Sequence, residues 1–564
     1  MINIRRYTMV ILTGVVLSAL LLFLSCNKGG SPTPTPPTPP ANFTSSGWSV
    51  DDKLNLDLTT EVGFNPVIRL YFRSKLDKNT VPLSVTLFNT TEGIDVAYNA
   101  TYEKSDSVIV LRPTAALAHA NRFAINVSDA LRSADGGKFI GTTSFSILTK
   151  IDSTAKFPTI TDDQLLDKVQ QQTFKYFWDF GHPVSGLARE RNTSGEIVTS
   201  GGSGFGIMAL VTGIHRNFIT RAQGLTRMQT ITNFLKNTAQ TFHGAYPHWL
   251  NGTTGIVVPF STKDNGADLV ETSYLMAGLM TARQYFDGAD VAETNLRADI
   301  NTILDRVEWS WFRKANENVL YWHWSPNYGW DMNMAIRGWN ECLITYVMAA
   351  ASKNYSILQS VYTNGFARNG AMQNVNSYFG LRLPLGEAYG GPLFFAHYSF
   401  LGINPNGLSD QYANYQTQVV NHSRINYEHC KANPRGYYGY SASCWGLTAS
   451  DIPNGYTASS PTNDVGVIAP TAALSSFPYT PTESMQALKF FYYTMGDKLW
   501  KQYGFVDAFS LYSTWYANSF LAIDQGPIII MIENYRSGLL WNLFTSSPEV
   551  KTGMRNLGFS APYL

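Results

Sequence analysis

The hydrophobic periodicity of the chain changes after its first 150 residues, and this change limits the fold more than any other feature. Over residues 43–149 apolar and polar residues alternate, as at Ile68, Leu70 and Phe72, which is the pattern of half-buried strands. About seven such segments in roughly 105 residues are typical of a small β-sandwich. From Ile160 onward apolar residues recur at helical spacing. The chain is therefore expected to be mainly α, with a small β domain in front.

The helical pattern falls into segments separated by long loops rich in Gly, Pro, Asn, Tyr and Trp. Long loops in a compact domain are usually functional. The predicted helices cover residues 162–180, 204–216, 221–242, 271–286, 291–312, 339–351, 411–430, 483–503 and 527–543. Helical hairpins over about 400 residues, without a repeat signature of about 34 residues, favour a closed (α/α)6 toroid over an open solenoid. Loops at one end of such a ring would form a cleft.

The N-terminus has the features of a secretion signal. Two arginines precede an apolar run over residues 9–24, which ends at Leu24-Ser25-Cys26. The run is shorter than the ~20 residues of a spanning helix and is typical of a signal peptide. Its ending resembles a bacterial lipobox, which implies cleavage before Cys26 and lipidation of Cys26; an uncleaved signal anchor is the alternative. We expect the protein in the cell envelope, anchored to a membrane and either periplasmic or on the outer-membrane surface.

These patterns divide the chain into four predicted parts. They are a lipoprotein signal peptide (1–25), a Pro/Thr-rich linker (26–42), an Ig-like β-sandwich (43–150) and an (α/α)6-barrel domain (151–564). The linker contains SPTPTPPTPP, which favours extended polyproline II. The β segment resembles bacterial Ig-like domains found between anchors and enzymes. We expect a spacer there, with a glycan-binding module as the alternative.

The four cysteines limit the number of disulfide bonds. If Cys26 carries a lipid, Cys342, Cys430 and Cys444 remain, so one disulfide is the maximum. Cys430 and Cys444 are closest in sequence, and the sequence leaves open whether they pair.

Composition and motifs exclude several classes of function. Lys plus Arg is 42 and Asp plus Glu is 41, so no basic field exists to attract nucleic acid. No Cys/His spacing is typical of a zinc site, and neither a phosphate-binding loop nor a GxSxG motif occurs. No metal or cofactor is expected. The glycine-rich run at 201–206 predicts a tight turn that leads into a closely packed helix.

Polar and aromatic clusters in the helical segment point to a site for sugar chemistry. The sequence GLARER contains Arg189, Glu190 and Arg191, and Glu196 follows closely. In DLVETSY, Glu271 lies near a predicted helix N-terminus. The helix dipole would stabilise its negative charge there, whereas an apolar cleft would raise its pKa as a general acid requires. The alternative interpretations are a structural ion pair for the first cluster and a helix cap for Glu271.

Two aspartates lie in loops of similar composition. Asp451 occurs in SDIPNGY and Asp464 in PTNDVGVIAP. Both loops are rich in Pro, Gly and Asn, where an aspartate normally stabilises a turn. Farther upstream, YWHWSPNYGWDM has a tryptophan density that helical packing does not explain, and we expect sugar stacking there.

Taken together, these segments resemble the glycoamylase-like domain and, more narrowly, glycoside hydrolase family 144, the bacterial β-1,2-glucanases. The resemblance covers about residues 160–564 and includes GLARER, SGGSGFGIMALVTGIHR, DLVETSYLMAGLM, RGWNECLITYVMA, GGPLFFAHYSFLGI, CWGLTASDIPNGY, IAPTAALSSFPYTP and IDQGPIIIMIENYRSGLLW. It implies an (α/α)6 toroid, no required metal, and hydrolysis of β-1,2-glucan with inversion. Such a mechanism uses an acid and a base about 6.5–9.5 Å apart.

The resemblance also implies roles for particular residues. The acid corresponds to Glu271 and the base to Asp464, with Asp451 as the alternative base. The block Arg-Glu-Arg stands where relatives have Arg-Asp-Arg, which alters the geometry at Glu190. Residues expected to bind sugar are Arg189, Glu190, Arg191, Glu196, His248, Trp249, Trp324, Trp339, Glu341, Tyr398 and Trp445.

The sequence leaves two other functions open. One is hydrolysis of another glucan, such as an α-glucosidic substrate of a glucoamylase, or exo-release of a disaccharide. The other is a surface lipoprotein that binds glycans without turnover. In each case the expected partner is a glucan polysaccharide or oligosaccharide.

Overall fold

The computed structural model describes residues 38–564. The predicted signal peptide, Cys26 and most of the linker lie outside the described residues. Buried side chains form two hydrophobic cores, one from residues 43–147 and one from 165–559 together with Ala120. We call residues 43–150 the β part and residues 151–564 the helical part.

The β part consists of two five-stranded sheets that enclose one core. The sheet orders are β2-β1-β4-β8-β7 and β3-β10-β9-β5-β6, where the strands are β1 (Ser45–Val50), β2 (Lys53–Leu54), β3 (Leu58–Val62), β4 (Ile68–Phe72), β5 (Val85–Asn89), β6 (Ile94–Asp95), β7 (Tyr98–Glu103), β8 (Val108–Pro113), β9 (Arg122–Val127) and β10 (Thr143–Thr149). Pairing is antiparallel except between β3 and β10. Ile68, Leu70 and Phe72 of one sheet share this core with Phe123 and Ile125 of the other, as their alternation predicts.

The helical part makes the molecule mainly α. Its helices, with α1 (Val81–Ser84) preceding them in the β part, are α2 (Asp162–Trp178), α3 (Ser200–His215), α4 (Arg221–Asn237), α5 (Leu269–Tyr285), α6 (Val291–Leu304), α7 (Leu343–Ala351), α8 (Gln359–Val361), α9 (Phe394–His397), α10 (Tyr415–Ala432), α11 (Pro470–Leu474), α12 (Pro481–Lys489), α13 (Gly496–Leu499), α14 (Ala522–Arg536), α15 (Leu539–Ser546) and α16 (Pro548–Leu557). None of the helices within residues 38–564 combines the length and the apolar character needed to cross a membrane.

Short strands occupy the loops between these helices. They are β11 (Ile197–Thr199), β12 (Trp249–Asn251), β13 (Val257–Val258), β14 (Ala267–Asp268), β15 (His323–Trp324), β16 (Ser377–Tyr378), β17 (Leu381–Arg382), β18 (Ala449–Ile452), β19 (Gly455–Ala458), β20 (Trp500–Lys501), β21 (Gly504–Phe505), β22 (Phe509–Ser510) and β23 (Trp515–Tyr516). All of them pair antiparallel within small sheets. These ladders give the long loops a fixed shape.

Helix ends differ from the prediction where local chemistry interrupts the helical pattern. The predicted helix at 483–503 is divided, because a wide turn at Phe490–Thr494 separates α12 from α13. The last predicted helix also consists of two, because Gly538 adopts a left-handed conformation (φ 71°) before α15 begins. Its first half, α14, begins five residues before Pro527 and runs through it.

The glycine-rich run at 201–206 is part of a helix, so the prediction of a turn is wrong. It forms the first turns of α3. A Cβ atom on Gly204 would lie 2.2 Å from the carbonyl oxygen of Tyr274, and one on Gly278 would lie 2.3 Å from the carbonyl oxygen of Gly204. The glycines therefore allow the backbones of α3 and α5 to touch. This contact fixes α3 against the start of α5.

The β part is docked on the helical part by specific contacts. They are the His119–Asp497 pair at 2.9 Å, the Glu92–Lys498 pair at 3.1 Å, and hydrogen bonds from Arg122 to the Tyr512 carbonyl and from Tyr516 to the Ala120 carbonyl. Cys342, Cys430 and Cys444 are all buried and free, so Cys430 and Cys444 do not form a disulfide.

Candidate active site

Glu271 lies at the start of α5, in a buried position set by two helices. The Asp268 side chain caps α5 and accepts a hydrogen bond from the Glu271 N–H at 2.9 Å. The Glu271 Oε2 atom accepts hydrogen bonds from the Gly201 N–H at 2.7 Å and the Thr199 hydroxyl at 3.2 Å. A Cβ at residue 201 would lie 2.5 Å from that oxygen, so only glycine permits this approach. Glu271 is 5% exposed.

Two histidines and two aspartates form a charge network beside Glu271. His248 Nδ1 lies 3.0 Å from Asp268 Oδ2. His323 Nε2 lies 3.5 Å from Asp264 Oδ2 and 3.6 Å from Asp268 Oδ2. Burial opposes the charge on His248, but the negative charges of Glu271 and Asp268 outweigh it and raise the pKa of His248 to about 9. Burial raises the pKa of Asp264 to about 6.

The pKa of Glu271 itself is raised. Burial is the largest cause, and the positive charge of His248 offsets only part of it. Burial also raises the pKa of Glu341 to about 7, with a further contribution from the negative charge of Glu271. A raised pKa favours the protonated form of a carboxyl group, so Glu271 can act as a general acid.

Within residues 38–564, one group of side chains is spaced to hold a cation. The ligating atoms of His248, Asp264 and Asp268 lie within 4.8 Å of one another. The same atoms are engaged in the charge network, and a metal would have to displace the proton of His248. These three side chains therefore fit a network of ion pairs better than a metal site.

Asp451 lies on the hairpin of β18 and β19, in a second polar cluster. Its Oδ1 and Oδ2 atoms accept hydrogen bonds from Arg191 Nη1 at 3.3 and 3.2 Å, and Oδ2 also accepts one from the Ser519 hydroxyl at 2.5 Å. Arg191 Nε donates to both carboxylate oxygens of Glu190 at 3.0–3.1 Å. Asp451 therefore accepts charge-assisted hydrogen bonds from a guanidinium as well as one from a hydroxyl.

Two further aspartates stand behind Asp451, and the sequence analysis missed both. Asp507 Oδ2 accepts a hydrogen bond from the Asp451 N–H at 2.7 Å, and one buried oxygen of Asp507 and one of Asp524 have no hydrogen-bond partner. Burial raises the pKa of Asp507 to about 7 and that of Asp524 well above its usual range. The available signals were a single acid in the apolar run GFVDAFSL and an acid in the quoted block IDQGPIII.

Tyr398 connects the two clusters. It is 8% exposed, and burial raises its pKa, with further contributions from the negative charges of Asp524, Glu341 and Glu271. The start of α14, which carries Asp524, is also tied to the GLARER loop, because the Ala522 N–H donates to the Glu190 carbonyl at 2.9 Å. Asp451 and Glu271 both contact the segment 191–201, through Arg191 and Gly201 respectively.

Asp464 has a different environment. Its Oδ2 atom lies 2.9 Å from His429 Nε2, and its Oδ1 atom accepts hydrogen bonds from the Tyr440 hydroxyl at 2.8 Å and the Gly466 N–H at 3.0 Å. Asp464 is 2% exposed. None of these partners belongs to the GLARER loop or α3, which contact Asp451 and Glu271.

Most of the residues predicted to bind sugar lie in or near the two clusters. Glu190, Arg191, His248, Glu341 and Tyr398 belong to the two clusters described above. Trp249 lies next to this site and contacts His248 and the half-exposed Phe260. Glu196 is more exposed and bonds His182 and Thr253.

The remaining four predicted residues are used in structural contacts. Trp445 is fully buried and donates to the Glu483 carbonyl, so the structure corrects its placement in the cleft. Arg189 bonds the carbonyls of Phe180 and Gly195, which ties loops together. Trp339 is 6% exposed and packs on Phe400 and Tyr415. The fourth, Trp324, packs on other aromatic rings.

The tryptophans of YWHWSPNYGWDM mostly pack on other aromatic rings. Trp324 lies edge to face with Trp311 and His243, and Trp330 stacks on Trp311 at 4.9 Å between centroids. Part of the ring surface expected to stack on sugar is therefore in contact with protein. The residue of this loop that joins the charge network is His323, which sequence reasoning did not select.

Comparisons with known proteins identify relatives of this chain. The model of the Glycoamylase family matches residues 333–548. An exo β-1,2-glucooligosaccharide sophorohydrolase (non-reducing end) from Parabacteroides distasonis is 46% identical over 421 residues, 71% of this chain. The chain spans only 58% of the length of that curated relative.

Solved structures give the same relationship. The endo-β-1,2-glucanase from Chitinophaga pinensis, in complex with sophorotriose and glucose, is 51% identical, with a TM-score of 0.70 over 72% of this chain and 100% of its own. The β-1,2-glucanase from Parabacteroides distasonis is 36% identical, with a TM-score of 0.69 over 92% of this chain and 73% of its own. The second match extends into the β part.

Proposed function

Because the chain belongs to the glycoamylase-like family, of the glycoside hydrolase family 144 type, we propose that it is a glycoside hydrolase that cleaves β-1,2-glucan or its oligosaccharides. The proposal takes its substrate from the named activities of the relatives, a β-1,2-glucanase and a sophorohydrolase among them. The site supports it independently, because Glu271 and Asp451 have different surroundings and both contact the segment 191–201.

The observation that carries the proposal is the pair Glu271 and Asp451. Burial raises the pKa of Glu271, so it holds a proton for the leaving glycosidic oxygen. Arg191 and Ser519 donate hydrogen bonds to the Asp451 carboxylate, to which we assign the role of accepting a proton from the attacking water. We propose an inverting mechanism, in which water attacks the anomeric carbon directly and the acid and base act in one step.

Asp451 is proposed as the base in place of Asp464. Both carboxylates accept hydrogen bonds at both oxygens, and they differ in location. Asp464 bonds His429, Tyr440 and Gly466. Asp451 bonds Arg191, in the loop that leads to Thr199 and Gly201, the two donors to Glu271.

For the architecture and the location of the protein, we propose what the sequence indicates. The helical part is an (α/α)6 toroid, the β part is an Ig-like domain, and Cys26 carries a lipid that holds the protein in the cell envelope. The contacts of His119 and Glu92 with the helical part support a β part that is fixed to the hydrolase rather than loosely tethered.

Product analysis tests the proposed function. The protein without residues 1–40 is incubated with linear β-1,2-glucan, starch and β-1,3-glucan, beside the Glu271→Gln variant. We expect short β-1,2-oligosaccharides from the wild type only, and their size distribution separates endo from exo cleavage. Proton NMR of the first products gives the anomer, and inversion predicts the α-anomer.

Other outcomes would replace the proposal. Glucose or maltose from starch alone would assign the chain to glucoamylase activity. Binding to a glucan without any product would make it a glycan-binding protein. Retention of the β-anomer would keep the hydrolase but exclude the inverting role of Asp451.

A further inference from the structure

Two buried aspartates form a pair that the proposed acid–base chemistry does not use. Asp507 precedes β22 and is 2% exposed, and Asp524 lies in the first turn of α14 and is 1% exposed. Among the described buried atoms, Asp507 Oδ1 and Asp524 Oδ2 have no hydrogen-bond partner. Each carboxyl group also affects the pKa of the other. A bond between two carboxyl groups requires a proton on one of them, because an ionised carboxylate only accepts.

The charges around the pair favour retention of that proton. The groups that face it are Asp451 and Tyr456 on the β18–β19 hairpin, Arg191 on the GLARER loop, and Tyr398 after α9. Arg191 is the only cation among these described groups, and it is already shared between Glu190 and Asp451. If both members ionised, two more buried negative charges would face a guanidinium that is already neutralised.

We propose that Asp507 and Asp524 share one proton and, as a hydrogen-bonded pair, position the candidate base Asp451. Asp507 Oδ2 accepts the hydrogen bond of the Asp451 N–H at 2.7 Å, so the orientation of Asp507 fixes the backbone that carries Asp451. The shared proton fixes Asp507 in turn. Both aspartates are positioning residues, since neither makes the hydrogen bonds to Arg191 and Ser519 that hold the Asp451 carboxylate.

Infrared spectroscopy tests the shared proton without reference to any substrate. The C=O stretch of protonated carboxyl groups is recorded for the full chain between pH 5 and pH 9, for the wild type and for Asp507→Asn and Asp524→Asn. We expect each variant to lose one component of this band at pH 7. Asp464→Asn is the matched control, because Asp464 is equally buried but receives three donors, and it should leave the band unchanged. Glu271→Gln removes a separate component.

Kinetics on β-1,2-glucan test the positioning role, which rests on the proposed function. The side-chain amide introduced by Asp524→Asn still donates to Asp507 but cannot titrate, whereas Asp524→Ala leaves Asp507 Oδ1 unpaired. We expect kcat of Asp524→Ala to fall about tenfold or more below that of Asp524→Asn, since an unpaired buried acceptor costs about the energy of a tenfold change in rate. We also expect KM to change little in either variant.

Thermal stability gives a third readout. A carboxyl group whose pKa is raised on folding weakens the folded state as pH rises from its unfolded value toward its folded value. The melting temperature of the wild type should therefore fall between pH 5 and pH 8, and Asp524→Asn should fall by less, while Asp464→Asn should keep the wild-type slope.

The two proposals fail in different ways. A protonated-carboxyl band that is unchanged in both Asn variants would overturn the shared proton, whether or not the protein hydrolyses glucan. Equal kcat values for Asp524→Asn and Asp524→Ala would overturn the positioning role. Absence of hydrolysis by the wild type would overturn the proposed function alone, because the spectroscopic and thermal results stand without it.

Discussion

Two carboxyl groups near Tyr398, one on each side, have opposite surroundings. On the side of α5, Glu271 is buried against the glycines of α3. Burial raises its pKa, and the positive charge of nearby His248 offsets only part of this rise. On the side of the β18–β19 hairpin, Asp451 receives a guanidinium and a hydroxyl. We call these the acid side and the base side. The two sides therefore differ in burial and in the supply of donors, which are factors that set the role of a carboxyl group.

The acid side is tested most strongly by removal of its ionisable group. Glu271→Gln keeps the shape and the hydrogen bonds from Gly201 and Thr199 but cannot supply a proton. We expect kcat on β-1,2-glucan to fall by about 10²–10⁴, the usual contribution of general acid catalysis. Reducing-sugar release measures it, and Glu341→Gln is the control because Glu341 is a half-buried glutamate that also has a raised pKa. A larger loss in the control would move the acid role to Glu341.

The pH profile sharpens the same comparison. Glu271 must be protonated to act, and burial raises its pKa. The alkaline decline of kcat/KM should therefore occur above the ordinary carboxyl range, and Glu271→Gln should lack it. A decline that persists in the variant with the same midpoint would assign it to another group.

The base side is tested by paired substitutions of two aspartates. Asp451→Asn should lower kcat by about 10²–10³ and leave the fold intact. Asp464→Asn should instead lower the free energy of unfolding by about 1–3 kcal/mol, because it weakens a buried network, with a smaller effect on kcat. Circular dichroism with urea separates the two effects. A larger kcat loss in Asp464→Asn would return the base role to Asp464.

Arg191 makes the base side dependent on geometry as well as on charge. Its guanidinium bonds Glu190 through Nε and Asp451 through Nη1, which a single ammonium group cannot reproduce. We expect Arg191→Lys to lower kcat about tenfold. Arg189→Lys is the matched control, because Arg189 bonds only loop carbonyls and stacks on Phe180. Equal losses in both variants would show that Arg191 acts only through the fold of its loop.

The smallest expected effect concerns the charge network of the acid side. Nearby acids raise the pKa of His248 to about 9, so its stabilising contribution is complete below about 6.5 and is lost as pH rises through 9. We expect the free energy of unfolding to fall by on the order of 1–3 kcal/mol over this window. His248→Gln should reduce this slope, whereas substitution of exposed His215 should not. Equal slopes in all three proteins would place the titration elsewhere.

The sequence predicts elements where the periodicity is regular and local. The alternation around Ile68 and the helical stripe that begins α2 both appear in the structure, and Thr161 caps α2 through a reciprocal bond with Gln164. The prediction fails at the glycine run of α3, because the composition of this run is typical of a turn. There the contact between two helix backbones requires glycine, and that contact is visible only in three dimensions.

By itself, the sequence determined the order of a β part and a helical part, the resemblance to β-1,2-glucanases, and Glu271 as the candidate acid. Only the tertiary structure separated Asp451 from Asp464, since two loops of similar composition lie among different donors. It also revealed Asp507 and Asp524, which are 56 and 73 residues beyond Asp451 in the chain. The physical reason is that a carboxyl group takes its function from the charges and solvent around it, and these come from distant segments.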